Sequence, residues 1–151
     1  MIRFCTYSTP LGYLIVGHDQ EAIVSLKIST SAGPQEASPV SDLAALQILE
    51  YLDGIRQTFD FPFRLSGTPF QLEVWNALLQ IPYRQTRTYG QIAAAIGKPN
   101  AARAVGMACS KNPLWIVIPC HRVVGQQQRL TGYAGGLDMK QSLLELEQSN
   151  A

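Results

Sequence analysis

The chain is poor in the residues that would place it in several broad classes. It has only three cysteines and two histidines. Cys5, Cys109 and Cys120 are odd in number and far apart, which argues against a disulfide framework and for a reducing compartment. With His18 and His121 added, no C-x-x-C or H-x-x-x-H spacing occurs, so the ligands of a structural zinc site are missing and no metal is expected. No apolar run approaches the roughly 18 residues needed to cross a bilayer. The start, "MIRFCTYSTPLGYL", lacks a charged region followed by a long apolar one, so neither a signal peptide nor a membrane partner is expected, and a cytoplasmic location is.

Acidic residues are also scarce where it matters. Residues 1–66 carry four basic and seven acidic side chains, a balance of −3, whereas residues 67–151 carry eight and four, a balance of +4. Between residues 74 and 137 there is no Asp or Glu and there are seven Lys or Arg. A long single-sign stretch builds a field that attracts anions, and nucleic acid is the first candidate. A solvated basic face with no partner is the alternative.

What is present suggests two lobes, 1–66 and 67–151, in an α+β fold. Residues 2–7, 11–17 and 22–28 are rich in β-branched and aromatic types and are separated by turns, so three short antiparallel strands are expected. Ser41 is positioned to cap a helix running to about Asp53, with Gly54 as its stop. Phe59, Phe61 and Phe63 alternate at period two, and Pro62 confines such a strand to an edge. After Gly67 the texture becomes helical. Thr68, Pro69 and Gln71 spell a capping box with proline at the first helical position. Thr88 and Gln91 spell a second box, Gly97 a stop, and Asn100 a cap for the next helix. Helix, short turn, helix is a helix-turn-helix outline, winged-helix-like in its setting. Its second helix is bald: Ala101, Ala102, Ala104, Gly106 and Ala108, with Arg103 as the one long side chain in its middle. Small residues permit close packing on a neighbouring helix or close approach to a nucleic-acid groove. "WIVIPC" reads as a short strand, "GQQQRLTGYAGGL" as a glycine-rich loop, and Asp138 with Gln141 as the cap of a last helix that buries Leu143, Leu144 and Leu146. Trp75 and Trp115 read as core.

The chemistry concentrates in "IPCHRVV", residues 118–124. A cysteine reacts as its thiolate and so needs a nearby base or positive charge, and Cys120 has His121 and Arg122 beside it. In an extended segment neighbouring side chains point to opposite faces, so His121 reaches Cys120 only through a water or through a turn that begins at the cysteine. The alternative is a buried structural cysteine with a surface histidine.

Taken together, "TYGQIA", "AARAVGMA", "NP" and "IPCHRVVG…LTGYAGGL…K…LLELE" closely resemble the O6-alkylguanine-DNA alkyltransferase family, over residues 68–147. The first 66 residues resemble that family's N-terminal lobe in layout only. The resemblance implies binding of double-stranded DNA in the minor groove and extrusion of an O6-alkylguanine. It implies one irreversible transfer of the alkyl group to Cys120 by a monomer without a cofactor. It implies that His121 deprotonates Cys120 through water, that Glu147 orients His121, and that Asn112 braces the turn beside Cys120. Tyr89, Tyr133, Val123, Ala134 and Gly135 would hold the base. Arg103 would fill the gap left in the duplex, and Ala102, Thr88, Gln91 and Arg122 would meet DNA.

Two positions depart from that pattern. Arg84 and Gln128 stand where glycine is usual: Arg84 would alter the turn before the helix-turn-helix or add a phosphate contact, and Gln128 would be strained if its site needs a positive φ. Rival readings are a DNA-binding sensor without chemistry, a cysteine hydrolase, and a winged-helix regulator that oxidises Cys120 or Cys109.

Overall fold

The computed structural model describes residues 1–150. The chain forms two compact units, Met1–Ser66 with Pro113–Trp115, and Gly67–Asn112 with Ile116–Ala151.

The first unit is a three-stranded antiparallel sheet and one helix. Strands β1 (Arg3–Thr9), β2 (Gly12–His18) and β3 (Ile23–Ser29) pair in the order β1-β2-β3. Leu14 and Val16 of β2 and Ile23 and Leu26 of β3 are buried, as are Ala44, Ala45, Ile48 and Tyr51 of helix α1 (Pro39–Leu52), so one sheet face and one helix stripe make the core. Helix α1 starts earlier than the sequence suggested. Ser38 is its cap and Pro39 its first residue, while Ser41 is the reciprocal partner in the capping box. Residues 59–63 do not form a strand. Phe63 makes a single bridge to Ile23, and Phe59, Phe61 and Phe63 stack edge-on instead. "WIVIPC" is not a strand either. Leu114 bridges Leu26 and belongs to the first unit, and Ile116 then turns the chain with φ +76°. Leu114 is fully buried there, whereas Trp115 is half-exposed, so Leu114 takes the core role expected of Trp115.

The second unit is mostly helical: α2 (Pro69–Leu78), α3 (Tyr89–Ala95), α4 (Ala102–Ser110) and α5 (Leu137–Ser149). Two short strands, β4 (Arg87–Thr88) and β5 (Val123–Val124), pair in parallel. Both predicted capping boxes form: Thr68 with Gln71 opens α2, and Thr88 with Gln91 opens α3. Gly97, at φ +76°, ends the α3 segment. Asn100 does not cap α4, whose first turn follows Ala101 with no side-chain cap, and Gly136 rather than Asp138 precedes α5. Trp75 of α2 is buried and donates its indole N–H to the Ala108 carbonyl of α4 at 3.0 Å. A Cβ at Gly67 would stand 2.8 Å from the Trp75 ring, so the chain can enter α2 only as glycine. The bald helix has two faces. Val105, Ala108 and Cys109 are buried, while Arg103, Ala104 and Met107 are exposed. Close packing and an open, nearly smooth outer face therefore coexist on one helix.

Candidate active site

The site is assembled around a tight turn. Asn112, just after α4, donates its side-chain amide to the Ile118 carbonyl at 2.9 Å. The Cys120 amide bonds the same carbonyl at 2.7 Å, and the Arg122 amide bonds Pro119 O at 2.9 Å. Residues Cys120–Arg122 thus form one 3-10 turn that begins at the cysteine. That is the geometry which frees Cys120 and His121 from the opposite-face rule of an extended chain.

Behind the turn lies a buried charge cluster. His121 Nε2 donates to Glu147 Oε2 at 2.7 Å. Arg122 grips the same carboxylate through Nε (2.9 Å to Oε1) and Nη2 (2.9 Å to Oε2), and gives Nη1 to Ile81 O at 2.7 Å. The Arg84 backbone N–H adds a further donor to Glu147 at 3.0 Å, and the Tyr83 ring lies against the Arg122 guanidinium. Glu147 is 1% exposed and Arg122 7%, so the charges are paired as burial demands. This corrects the expectation that Arg122 meets DNA: its guanidinium faces inward and is occupied by Glu147.

Burial holds the His121 pKa below its ordinary value, against the opposing pull of Glu147. The ring is therefore neutral at pH 7. With its Nε2–H given to the carboxylate, it carries its basic lone pair at Nδ1. Burial also pushes the Cys120 thiol well above its usual range, and the neighbouring Cys109 thiol pushes the same way. A hydrogen bond from Asn112 and the charge of Lys140 work in the opposite sense. Cys120 therefore rests as a thiol and would need a base to react, rather than standing as a thiolate.

Cys120 is buried but not sealed. It forms part of the wall of a cavity of about 260 Å³, with Tyr89, Gly106, Cys109, Ser110, Gly132, Tyr133 and Ala134. Burial keeps both tyrosines protonated, and so able to donate. Tyr89 gives its O–H to Thr131 O at 3.1 Å. Lys140 is fully buried on α5, donates to Thr131 O at 2.7 Å and Gly132 O at 3.1 Å, and lies over the Tyr89 ring.

Of the residues singled out in the sequence, Cys120, Tyr89, Tyr133 and Ala134 line the cavity, and His121, Glu147 and Asn112 lie in the turn and cluster that back it. Val123 is fully buried in β5, paired with Arg87, and is not part of the cavity wall described. Gly135 packs against Met139, whose sulfur would meet a Cβ there at 2.5 Å. The polar atoms of Thr88 and Gln91 are engaged with each other in the α3 capping box, while Arg103 is exposed and Ala102 half-exposed on α4. Lys140 was not anticipated, and Cys109 had entered only as a redox residue of a rival reading. The one available signal was the 140, 143, 147 stripe of α5, where the buried face mixes Lys, Leu and Glu. His18, the other histidine, is fully buried in the first unit on the Glu36 carbonyl.

A family model described as the DNA binding domain of 6-O-methylguanine DNA methyltransferase matches residues 69–149. The chain is 42% identical to the methylated-DNA–protein-cysteine methyltransferase of Methanosarcina acetivorans, over 97% of this chain and 98% of that protein. It is 43% identical to the Mycobacterium tuberculosis protein of the same name, over 100% and 95%. The crystal structure of the M. tuberculosis O6-methylguanine methyltransferase superposes with a TM-score of 0.91 at 41% identity, covering 100% of this chain and 95% of that one. The M. tuberculosis OGT in complex with DNA gives 0.91 at 42% identity, covering 98% and 94%. With the nucleophile turn, the buried His–Glu pair and these likenesses in one chain, the protein belongs to the O6-alkylguanine-DNA alkyltransferase family.

Proposed function

We propose that this protein repairs double-stranded DNA by taking the alkyl group of an O6-alkylguanine onto its own Cys120, once per molecule. The observation that carries the reading is a cysteine on a cavity wall, at the start of a turn whose next residue is a neutral histidine bound to a buried carboxylate. In this mechanism His121 takes the Cys120 proton through a water, and Glu147 stabilises the imidazolium that results. Sulfur attacks the O6-alkyl carbon, an S–C bond forms, and the C–O6 bond breaks. The departing guanine carries the electron pair, and a phenol donor, Tyr133 or Tyr89, supplies the proton that makes it a tolerable leaving group. The product thioether has no route back, so the reaction stops after one turnover.

The target base has to leave the duplex to reach the cavity, at a cost of a few kcal/mol that stacking and edge hydrogen bonds repay. Arg103 on the exposed, near-smooth face of α4 suits a filler of the vacated space in the minor groove. The backbone of Val123 and the 132–135 loop are assigned to the base itself. A monomer acting in the cytoplasm completes the reading. No helix among the described residues is long and apolar enough to cross a membrane.

The test is intact-mass analysis after incubation with an oligonucleotide containing O6-methylguanine. One methyl group per protein, on Cys120 and absent in Cys120→Ala, is expected. Repeated turnover, or tight binding with no gain of mass, would overturn it.

A further inference from the structure

Cys109 has no part in the transfer described, yet it shares the cavity wall with Cys120. It sits in the last turn of α4 and is 9% exposed, against 4% for Cys120. Cys120 Sγ lies 3.6 Å from the Cys109 carbonyl oxygen, and both residues line the same cavity. Cys5, the third cysteine, is in the other unit and its thiol faces Gln35. Two thiols on the wall of one cavity are more than structural packing requires, because that cavity admits small solutes to both.

We infer that Cys109 and Cys120 form a reversible disulfide when hydrogen peroxide enters the cavity, and that this bond locks the alkyl acceptor. Closing it brings the two sulfurs to about 2.05 Å. Cys109 is the attacking partner. The adjacent Cys120 thiol and the positive charge of Lys140 lower its pKa, while burial keeps the proton on Cys120. The Cys109 thiolate attacks one peroxide oxygen, an S–O bond forms, the O–O bond breaks, and the departing hydroxide leaves as water after taking a proton. Cys120 sulfur then attacks the Cys109 sulfenic acid. The S–S bond forms, the S–O bond breaks, and the second water carries off the Cys120 proton. The thiols lose two electrons and peroxide gains them. The bond itself follows from the geometry, while its consequence for repair rests on the function proposed above.

The experiment uses the full-length protein without DNA. It is treated with hydrogen peroxide, the remaining thiols are trapped with iodoacetamide, and the peptides are mapped by mass spectrometry. The expected map shows Cys109 joined to Cys120 and Cys5 alkylated, with the linked form lost on dithiothreitol. The same samples, assayed on O6-methylguanine DNA, lose methyl transfer on oxidation and regain it on reduction. In Cys120→Ser, which lacks the resolving thiol, the expected result is Cys109 carried on to sulfinic or sulfonic acid, which dithiothreitol does not reverse. A map with both cysteines singly oxidised, or with a link between two copies, overturns the inference. Because the map needs no DNA, a protein that links correctly yet transfers no methyl group even when reduced would refute the proposed function and leave the disulfide standing.

Discussion

Glu147 holds His121 and Arg122 at once: its Oε2 accepts from His121 Nε2 at 2.7 Å and from Arg122 Nη2 at 2.9 Å. One buried carboxylate thus fixes the tautomer of the base and compensates the only guanidinium in its cluster. Glu147→Gln keeps the shape and removes the charge. Alkyl transfer is expected to slow by about 10²-fold or more, the scale of a positioned general base. Stability should fall by about 3–5 kcal/mol, because a buried arginine loses its counter-charge. Single-turnover kinetics and denaturant unfolding read the two effects separately. A variant with native stability and rate would refute the coupling.

The His121 ring has a folded pKa below its ordinary 6.5 because of burial. Protonation therefore favours the unfolded chain. The stability this group contributes is fully present above the unfolded value and is lost as pH falls through the folded one. The transfer rate should follow the same window, staying level from neutral pH past 6.5 and dropping only below it. A rate that halves at or above 6.5 in a pH series would contradict a buried neutral base.

Arg84 and Gln128 both adopt left-handed backbone, with φ of +72° and +64°. Arg84→Gly should raise stability by about 0.5–1 kcal/mol, relief of strain outweighing the extra freedom of the unfolded chain. Arg84→Ala keeps a Cβ and should give no such gain. The backbone N–H that serves Glu147 survives in both variants. Equal unfolding free energies for the glycine and alanine forms would remove the strain argument.

Arg103 stands exposed on α4. Arg103→Ala is expected to slow repair of a duplex by about tenfold or more, since the role proposed for it is to offset the cost of extruding a base. Reaction with free O6-alkylguanine should change much less. Equal losses on both substrates would show that Arg103 acts inside the cavity or on folding instead.

What was legible in the sequence was what is local. The capping boxes at Thr68/Gln71 and Thr88/Gln91 are reciprocal bonds across three residues, so the letters alone specify them. The box at Ser38 was missed because serine, not glutamate or glutamine, fills its third position. Cys120 and His121 were visible as a motif, and Gln128 does adopt the positive φ weighed for it, whereas the left-handed backbone at Arg84 was not foreseen. The turn at Ile116 was not legible, since a β-branched residue gives no sign that its backbone will be left-handed. Arg122 was misplaced for a different reason. Its positive charge is equally suited to a phosphate and to a carboxylate 25 positions along the chain, and only folding decides between them.

Lys140 and Glu147 stand seven positions apart on α5, about two turns, with Leu143 buried between them. One pins the Thr131–Gly132 loop over the cavity, and the other aligns the proton acceptor. The terminal helix is thus a fuse: proteolytic nicking or melting of its final turns would silence the chemistry while α3 and α4 stay intact, turning a repair protein into an inert occupant of damaged sites.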